Sequence, residues 1–267
     1  MKKVVSKDGT SIAYDQFGRG PALILVDGAF CSRKFGPMPG LAQLLAPNFK
    51  VIAYDRRGRG DSGDAKPYAV DREVEDLEAI INDVGGSAYV FGMSSGAVLT
   101  LVAAAANVNI RKIALYEPPF VIDKSVGHQP PPDHTTHLMQ LIENDQRGEA
   151  VKYYLVKIIG MPSIVYYVMR LLPMWTKMKA IANSLPYDSA IMRDFSIPTN
   201  MLSGIATPTL VIGGEKSPDL LRNSVQAVSA TMPNAQRRML PGQTHNVSVK
   251  VLAPVLIDFF AATGGNP

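Results

Sequence analysis

The chain reads as an α/β protein: an eight-stranded, mostly parallel sheet flanked by helices, with a helical insertion. Three observations predict this. Short apolar runs recur along the chain with helix-length segments between them, the alternation of a parallel sheet covered on both faces. Two runs near the start sit on either side of Lys7-Asp8-Gly9-Thr10, a turn sequence that joins antiparallel neighbours. Residues 118–207 break the rhythm, with no good strand and a Pro-rich opening, Gln129-Pro130-Pro131-Pro132.

In order, the hairpin is expected over 3–6 and 11–17. Buried strands follow at 22–26, 50–54, 88–91, 112–116, 209–212 and 236–240, each a short apolar run bounded by polar or turn residues. Helices are expected at 40–45, 70–84, 95–106, 218–230 and 247–260. The hairpin and the six buried strands give eight. Residues 1–117 and 208–267 form the core, and 118–207 an insertion capping one edge. Within the insertion, Tyr153-Tyr154, Tyr166-Tyr167 and Trp175 are dense for a chain that is 7% aromatic. They pack the insertion itself, wall an apolar pocket, or do both. The Gly264-Gly265-Asn266-Pro267 tail is of low complexity.

With 267 residues, 46% hydrophobic and 19% charged, the chain can bury a sizeable core as one domain. No apolar run approaches a membrane-spanning helix, and the basic start turns polar before an apolar segment develops. A cytoplasmic location, no membrane partner and no nucleic-acid partner are the expectations. Cys31 is the only cysteine; it rules out an intrachain disulfide and reads as a buried, inert thiol. The net charge of +4 is mild. Its one tight basic cluster, Arg56-Arg57-Arg59, stands without a nucleic-acid motif and reads as structural.

Gly92-Met93-Ser94-Ser95-Gly96 lies between the strand at 88–91 and the Ala-rich helix that follows. A Gly-x-Ser-x-Gly between strand and helix turns the chain sharply and exposes its central serine as a nucleophile. Ser94 then needs a base. Of the four histidines, His245 in Gly242-Gln243-Thr244-His245-Asn246 follows the last strand, where this architecture places it. His128, His134 and His137 cluster around the prolines, where a solvated face outweighs a metal pair, and no metal is expected.

These segments resemble the α/β-hydrolase superfamily, in its branch of small capped bacterial serine esterases and perhydrolases, over nearly the whole chain. Asp55-Arg56-Arg57-Gly58-Arg59-Gly60-Asp61-Ser62 is similar to the family's Asp-x-Arg-Gly-x-Gly-x-Ser, and Pro208 to Gly214 to its penultimate strand. Asp27-Gly28 stands where the family has His-Gly. The resemblance implies an oxyanion hole in the backbone N–H groups of Ala29 and Ser95, with Phe30 the alternative to Ala29. Asp27 would place an acid beside that hole, so a hydrogen-bond partner or an orientation away from Ser94 is expected, or simply a structural loop carboxylate.

The family's usual acid follows the penultimate strand, but Gly214-Glu215-Lys216-Ser217-Pro218-Asp219 has Ser217 there. Glu117, at the carboxyl end of the strand at 112–116, is the first candidate. Asp219 is the second, although it also suits the first turn of a helix; Ser217, or no acid at all, is the third. The implied function is cofactor-free hydrolysis of small or medium apolar carboxylic esters through an acyl-enzyme, with a small-molecule ester as partner. A perhydrolase, lactonase or C–C hydrolase would use the same site, and a degenerate, ligand-binding hydrolase would lack the reaction altogether.

Overall fold

The computed structural model describes residues 1–123 and 128–262; the Gly264–Pro267 tail lies outside them. The core elements are β1 (Lys2–Val5), β2 (Ser11–Phe17), β3 (Ala22–Val26), α1 (Met38–Leu45), β4 (Lys50–Tyr54), α2 (Val70–Asp83), β5 (Ala88–Met93), α3 (Ser95–Ala105) and β6 (Ile110–Tyr116). The segment between β6 and the next strand carries α4 (His134–Glu143), α5 (Arg147–Tyr153), a π-helical turn (Tyr154–Ile158), α6 (Ser163–Met169), α7 (Met174–Ile181), a 3-10 turn (Ala182–Ser184), α8 (Leu185–Met192) and α9 (Thr199–Ser203). The core resumes with β7 (Thr209–Gly214), α10 (Asp219–Thr231), β8 (Ala235–Leu240) and α11 (Val249–Ala261).

One eight-stranded sheet runs in the order β1-β2-β4-β3-β5-β6-β7-β8. Only β2 runs against its neighbours, β1 and β4; the remaining pairs are parallel. The eight strands and the helical insertion match the sequence reading, with small shifts at element ends. Helix α1 starts at Met38 because Pro39 fits its first turn, where no intrahelical N–H is lost.

Both sheet faces are covered. One apolar core gathers α2, α3 and α10 with part of the insertion, and the other gathers α1 and α11. Strands β3 (ALILV) and β7 (TLVIGG) are buried at every position, which explains their unbroken apolar runs. Helix α3 is buried on nearly every side, and its small residues let it lie close to the sheet.

Register brings the strand ends level. Val26 pairs Gly92, Met93 pairs Tyr116, Tyr116 pairs Ile212 and Gly214 pairs Leu240. The residues that follow these strands, Asp27-Gly28-Ala29, Ser94, Glu117 and the loop to His245, therefore share one carboxyl edge, where open α/β sheets bind ligands.

Candidate active site

Ser94 occupies the turn between β5 and α3 with φ 55° and ψ −126°, a conformation that L-residues rarely adopt. Close packing imposes it. A Cβ at Gly92 would lie 2.5 Å from Thr100 Oγ1 and 2.6 Å from the Gly96 carbonyl; one at Gly96 would lie 2.4 Å from the Val26 carbonyl. The two glycines let α3 press onto β5 and β3, leaving Ser94 at the crest of a tight bend. Its side chain rests against Gly28, at whose Cβ position Ser94 Cβ would be only 3.0 Å away. Its N–H donates to the Tyr116 carbonyl at 2.9 Å, tying the bend to β6.

Glu117 is fully buried and also has a positive φ, 47°. Its N–H donates to the Ile212 carbonyl (3.0 Å), so the turn is held by β7. Oε2 lies 2.7 Å from His245 Nδ1. Oε1 accepts from the Gly214 N–H at 2.7 Å and from Ser217 Oγ at 2.5 Å. The His245 loop is anchored separately, by Tyr116 donating from its hydroxyl to the Thr244 carbonyl (2.6 Å) and by the Lys216 N–H donating to the Gln243 carbonyl (2.8 Å).

Of the three candidate acids, the structure puts Glu117 on His245. Asp219 is exposed on the first turn of α10 and pairs with Arg222. Ser217 touches Glu117 instead of His245: with the carboxylate on β6, the residue after β7 contributes a hydrogen bond to it.

On the other wall, Arg59 Nη1 donates to the Gly28 carbonyl at 2.6 Å and to the Cys31 carbonyl at 3.2 Å. In a trans peptide the carbonyl and the following N–H point opposite ways. Arg59 therefore fixes the direction of the Ala29 N–H. Ser95 opens α3, where N–H groups lack intrahelical partners. Among the described residues, neither the Ala29 nor the Ser95 N–H donates to another protein group. Phe30 has φ 61° and meets Tyr154 of the π-helical turn edge to face, ring centres 5.3 Å apart.

Behind this wall lies a charged cluster that sequence reasoning missed. Asp188 on α8 is fully buried. It accepts from Arg56 (2.7 Å), Arg59 (2.6 Å) and the Ser95 hydroxyl (2.7 Å). Arg56 also clasps Glu73 with two bonds, of 2.6 and 2.7 Å, and donates to the Asp27 carbonyl (3.2 Å). One insertion carboxylate thus bears on both segments that carry the Ala29 and Ser95 N–H groups. The available signal was its isolation: Asp188 is the only acid between Glu149 and Asp194. Burial opposes its ionisation, but Arg59 and Arg56 outweigh it and hold Asp188 below the usual carboxylate range. Arg57, the third arginine of the cluster, is buried against Asp76 and Asp8.

Of the three expectations for Asp27, a hydrogen-bond partner, an orientation away from Ser94 or a structural loop role, the first is not met at one oxygen among the described residues. Asp27 Oδ1 is buried with no hydrogen bond. Burial pushes the carboxyl well above the usual range despite Arg59 and Arg56 nearby. Burial of an unpartnered carboxyl oxygen favours the uncharged form of the group. Cys31 is half-buried, and burial pushes its thiol up, as suits an inert side chain.

The insertion histidines are spread apart in their contacts. His134 is buried on Ser189 and the Arg193 carbonyl, His137 packs on Tyr153, and His128 contacts the Lys157 carbonyl. Of the insertion aromatics, Tyr154 reaches the site wall, whereas Tyr166 packs on Tyr167 and Trp175.

The fold has counterparts among known proteins. The family model described as "Alpha/beta hydrolase family" matches residues 23–251. The chain is 48% identical to a structurally solved α/β hydrolase from Sphaerobacter thermophilus, covering 97% of this chain and 100% of that one with a TM-score of 0.91. A thermophilic esterase from Thermogutta terrifontis shares the fold at 19% identity, TM-score 0.73, over 97% of both chains. An uncharacterized hydrolase of Bacillus subtilis, YraK, is 27% identical over 148 residues, which is 54% of this chain. That match spans about half of the relative's length, 53%.

Proposed function

Because the chain belongs to the alpha/beta hydrolase family, we propose that it is a serine hydrolase cleaving carboxylic esters with small to medium apolar acyl groups. The observation that carries this reading is the 2.7 Å contact between Glu117 and His245, on the same sheet edge as the strained Ser94. With Nδ1 engaged by Glu117, His245 has Nε2 left to take the Ser94 proton. Ser94 Oγ attacks the ester carbonyl, and the Ala29 and Ser95 N–H groups receive the developing oxyanion. His245 then protonates the leaving alcohol, and water releases the acid by the reverse sequence. Phe30 and Tyr154 give the acyl side an apolar aromatic wall, which supports the choice of acyl group. The esterase among the structural neighbours is consistent with it. The reaction as written needs no metal or organic cofactor.

Ser94→Ala is expected to lower kcat for p-nitrophenyl butyrate by about 10⁴–10⁶-fold and to abolish labelling by a fluorophosphonate probe. Retention of the parent rate would overturn the assignment. An unlabelled, inactive parent would instead mark a ligand-binding scaffold.

A further inference from the structure

Helix α6 and the turn after it present an apolar stripe to solvent. Ile164, Tyr167, Val168 and Leu171 repeat at i, i+3, i+4 and i+7, the spacing that places a stripe against a core. Yet they are 70%, 51%, 54% and 85% exposed. Within α6 only Tyr166 is buried. Ile159, Val165 and Leu172 extend the exposed segment, so that seven of the thirteen exposed large hydrophobics among the described residues fall between 159 and 172. Scattered surface apolar residues need no explanation, but a contiguous group marks an interaction surface.

The charges nearby select its occupant. From 150 to 187 the chain contains Lys152, Lys157, Arg170, Lys177 and Lys179 and no acidic residue. Lys152 pairs with Glu149. The other four form no ion pair among the described residues. Arg170 lies over the Tyr166 and Trp175 rings, 5.9 and 5.8 Å from their centres, and Lys177 lies 5.1 Å from that of Phe35. A second copy docking through this segment would bring like charges together, which disfavours self-association. An anionic lipid–water interface satisfies both features, taking apolar side chains below the headgroups and cations against them.

We propose that residues 159–172, with their flanking cations, form a peripheral docking face for an anionic lipid surface. The expectation of no membrane partner rested on the lack of a spanning run, and no described helix is long and apolar enough to cross a membrane. A face laid into the interface needs no such helix. The segment follows the π-helical turn whose Tyr154 meets Phe30, so docking sets the interface beside the insertion's contact with the site wall. The proposal stands whether or not the substrate is an ester.

The test is sedimentation of the full chain with phosphatidylcholine vesicles, with and without phosphatidylglycerol. Binding is expected with phosphatidylglycerol, weaker by about tenfold or more without it, and lost as salt is raised. The double variant Ile164→Asp/Leu171→Asp, at exposed sites where the parent melting temperature should persist, is expected to lose about tenfold or more in partitioning. Lys157→Gln/Lys177→Gln, which leaves the apolar stripe intact, is expected to lose several-fold. No binding to either vesicle, equal binding to both, or binding unchanged in both variants would overturn the proposal. So would a parent dimer in analytical ultracentrifugation that Ile164→Asp/Leu171→Asp converts to monomer, since that assigns the face to a second copy.

Discussion

On the β6–β7 wall of the site, both oxygens of the buried Glu117 have partners: Gly214 and Ser217 on one, His245 on the other. On the β3 wall, the buried Asp27 has an oxygen with no partner at all. Burial is similar, so partners make the difference. Donors that reach a buried carboxyl compensate the water it has lost, and an oxygen left without them bears the full cost of burial. Asp188 sharpens the contrast, because it lies beside the same two arginines as Asp27. Direct bonds from Arg56, Arg59 and Ser95 keep it below the usual range, while proximity alone does not do so for Asp27.

The strongest way to break the comparison is to alter the carboxyl of the fully partnered wall. Glu117→Gln keeps the shape but offers His245 an amide. Turnover should fall by about 10³–10⁴-fold, measured on a p-nitrophenyl ester beside Asp219→Asn, which should act like the parent. Equal losses in the two variants would remove Glu117 from its role. Next is Asp188→Asn, which leaves Arg56 and Arg59 short of a buried counter-charge. Breaking such a cluster from one side costs about 3–5 kcal/mol, and each kcal/mol lowers Tm by about 2–4 °C in a chain of this size. Calorimetry should show that drop, and kcat should fall more than KM rises if the Ala29 and Ser95 donors lose their aim.

A smaller effect is expected from Ser217→Ala, which deletes one of two donors to Glu117 Oε1. A hydrogen bond contributes about 0.5–1.5 kcal/mol, so kcat/KM should fall by roughly two- to tenfold, without a change in fold by circular dichroism. Asp27→Asn should change neutral-pH turnover least, and its signature lies in stability against pH. The folded-state pKa of Asp27 is raised above its unfolded value. Its contribution is therefore fully present below about pH 3.9 and is lost as pH rises through the folded value. The variant lacks this loss, so its Tm should gain on the parent's as pH rises. Asp188, with a depressed pKa, contributes in the opposite sense: its stability is present above the unfolded value and lost as pH falls through the folded one. A Tm difference for Asp27→Asn that is flat across pH would mean that Asp27 carries its charge in the folded chain.

Much of this site was legible in the chain because its parts are local. The strand-turn-helix around Ser94 is written in adjacent residues: an apolar run, two glycines where α3 meets the sheet, and small residues after them. His245 was singled out by its place after the last strand, and Glu117 by its place at a strand end. The choice between Glu117 and Asp219 was not local. It depends on which loop reaches the imidazole, and on Ser217 and Gly214 both turning toward β6. Asp188 was illegible for the same reason, since its partners Arg56, Arg59 and Ser95 lie 132, 129 and 93 residues away along the chain and meet it only after the insertion folds back. The exposed stripe of α6 shows the reverse failure. Its periodicity is that of a core-facing helix, and only the folded chain shows that none of the described residues covers it.

The sequence by itself determined the sheet, the strained serine, the histidine and the carboxyl edge that gathers them, because strand patterning and turn chemistry act over a few residues. The tertiary structure decided which acid meets His245, why an Asp27 oxygen is left without a partner among the described residues and how an insertion carboxylate is tied to the β3 wall. Those outcomes depend on burial and on which donors arrive from distant segments, and a carboxyl's charge state follows from the partners around it.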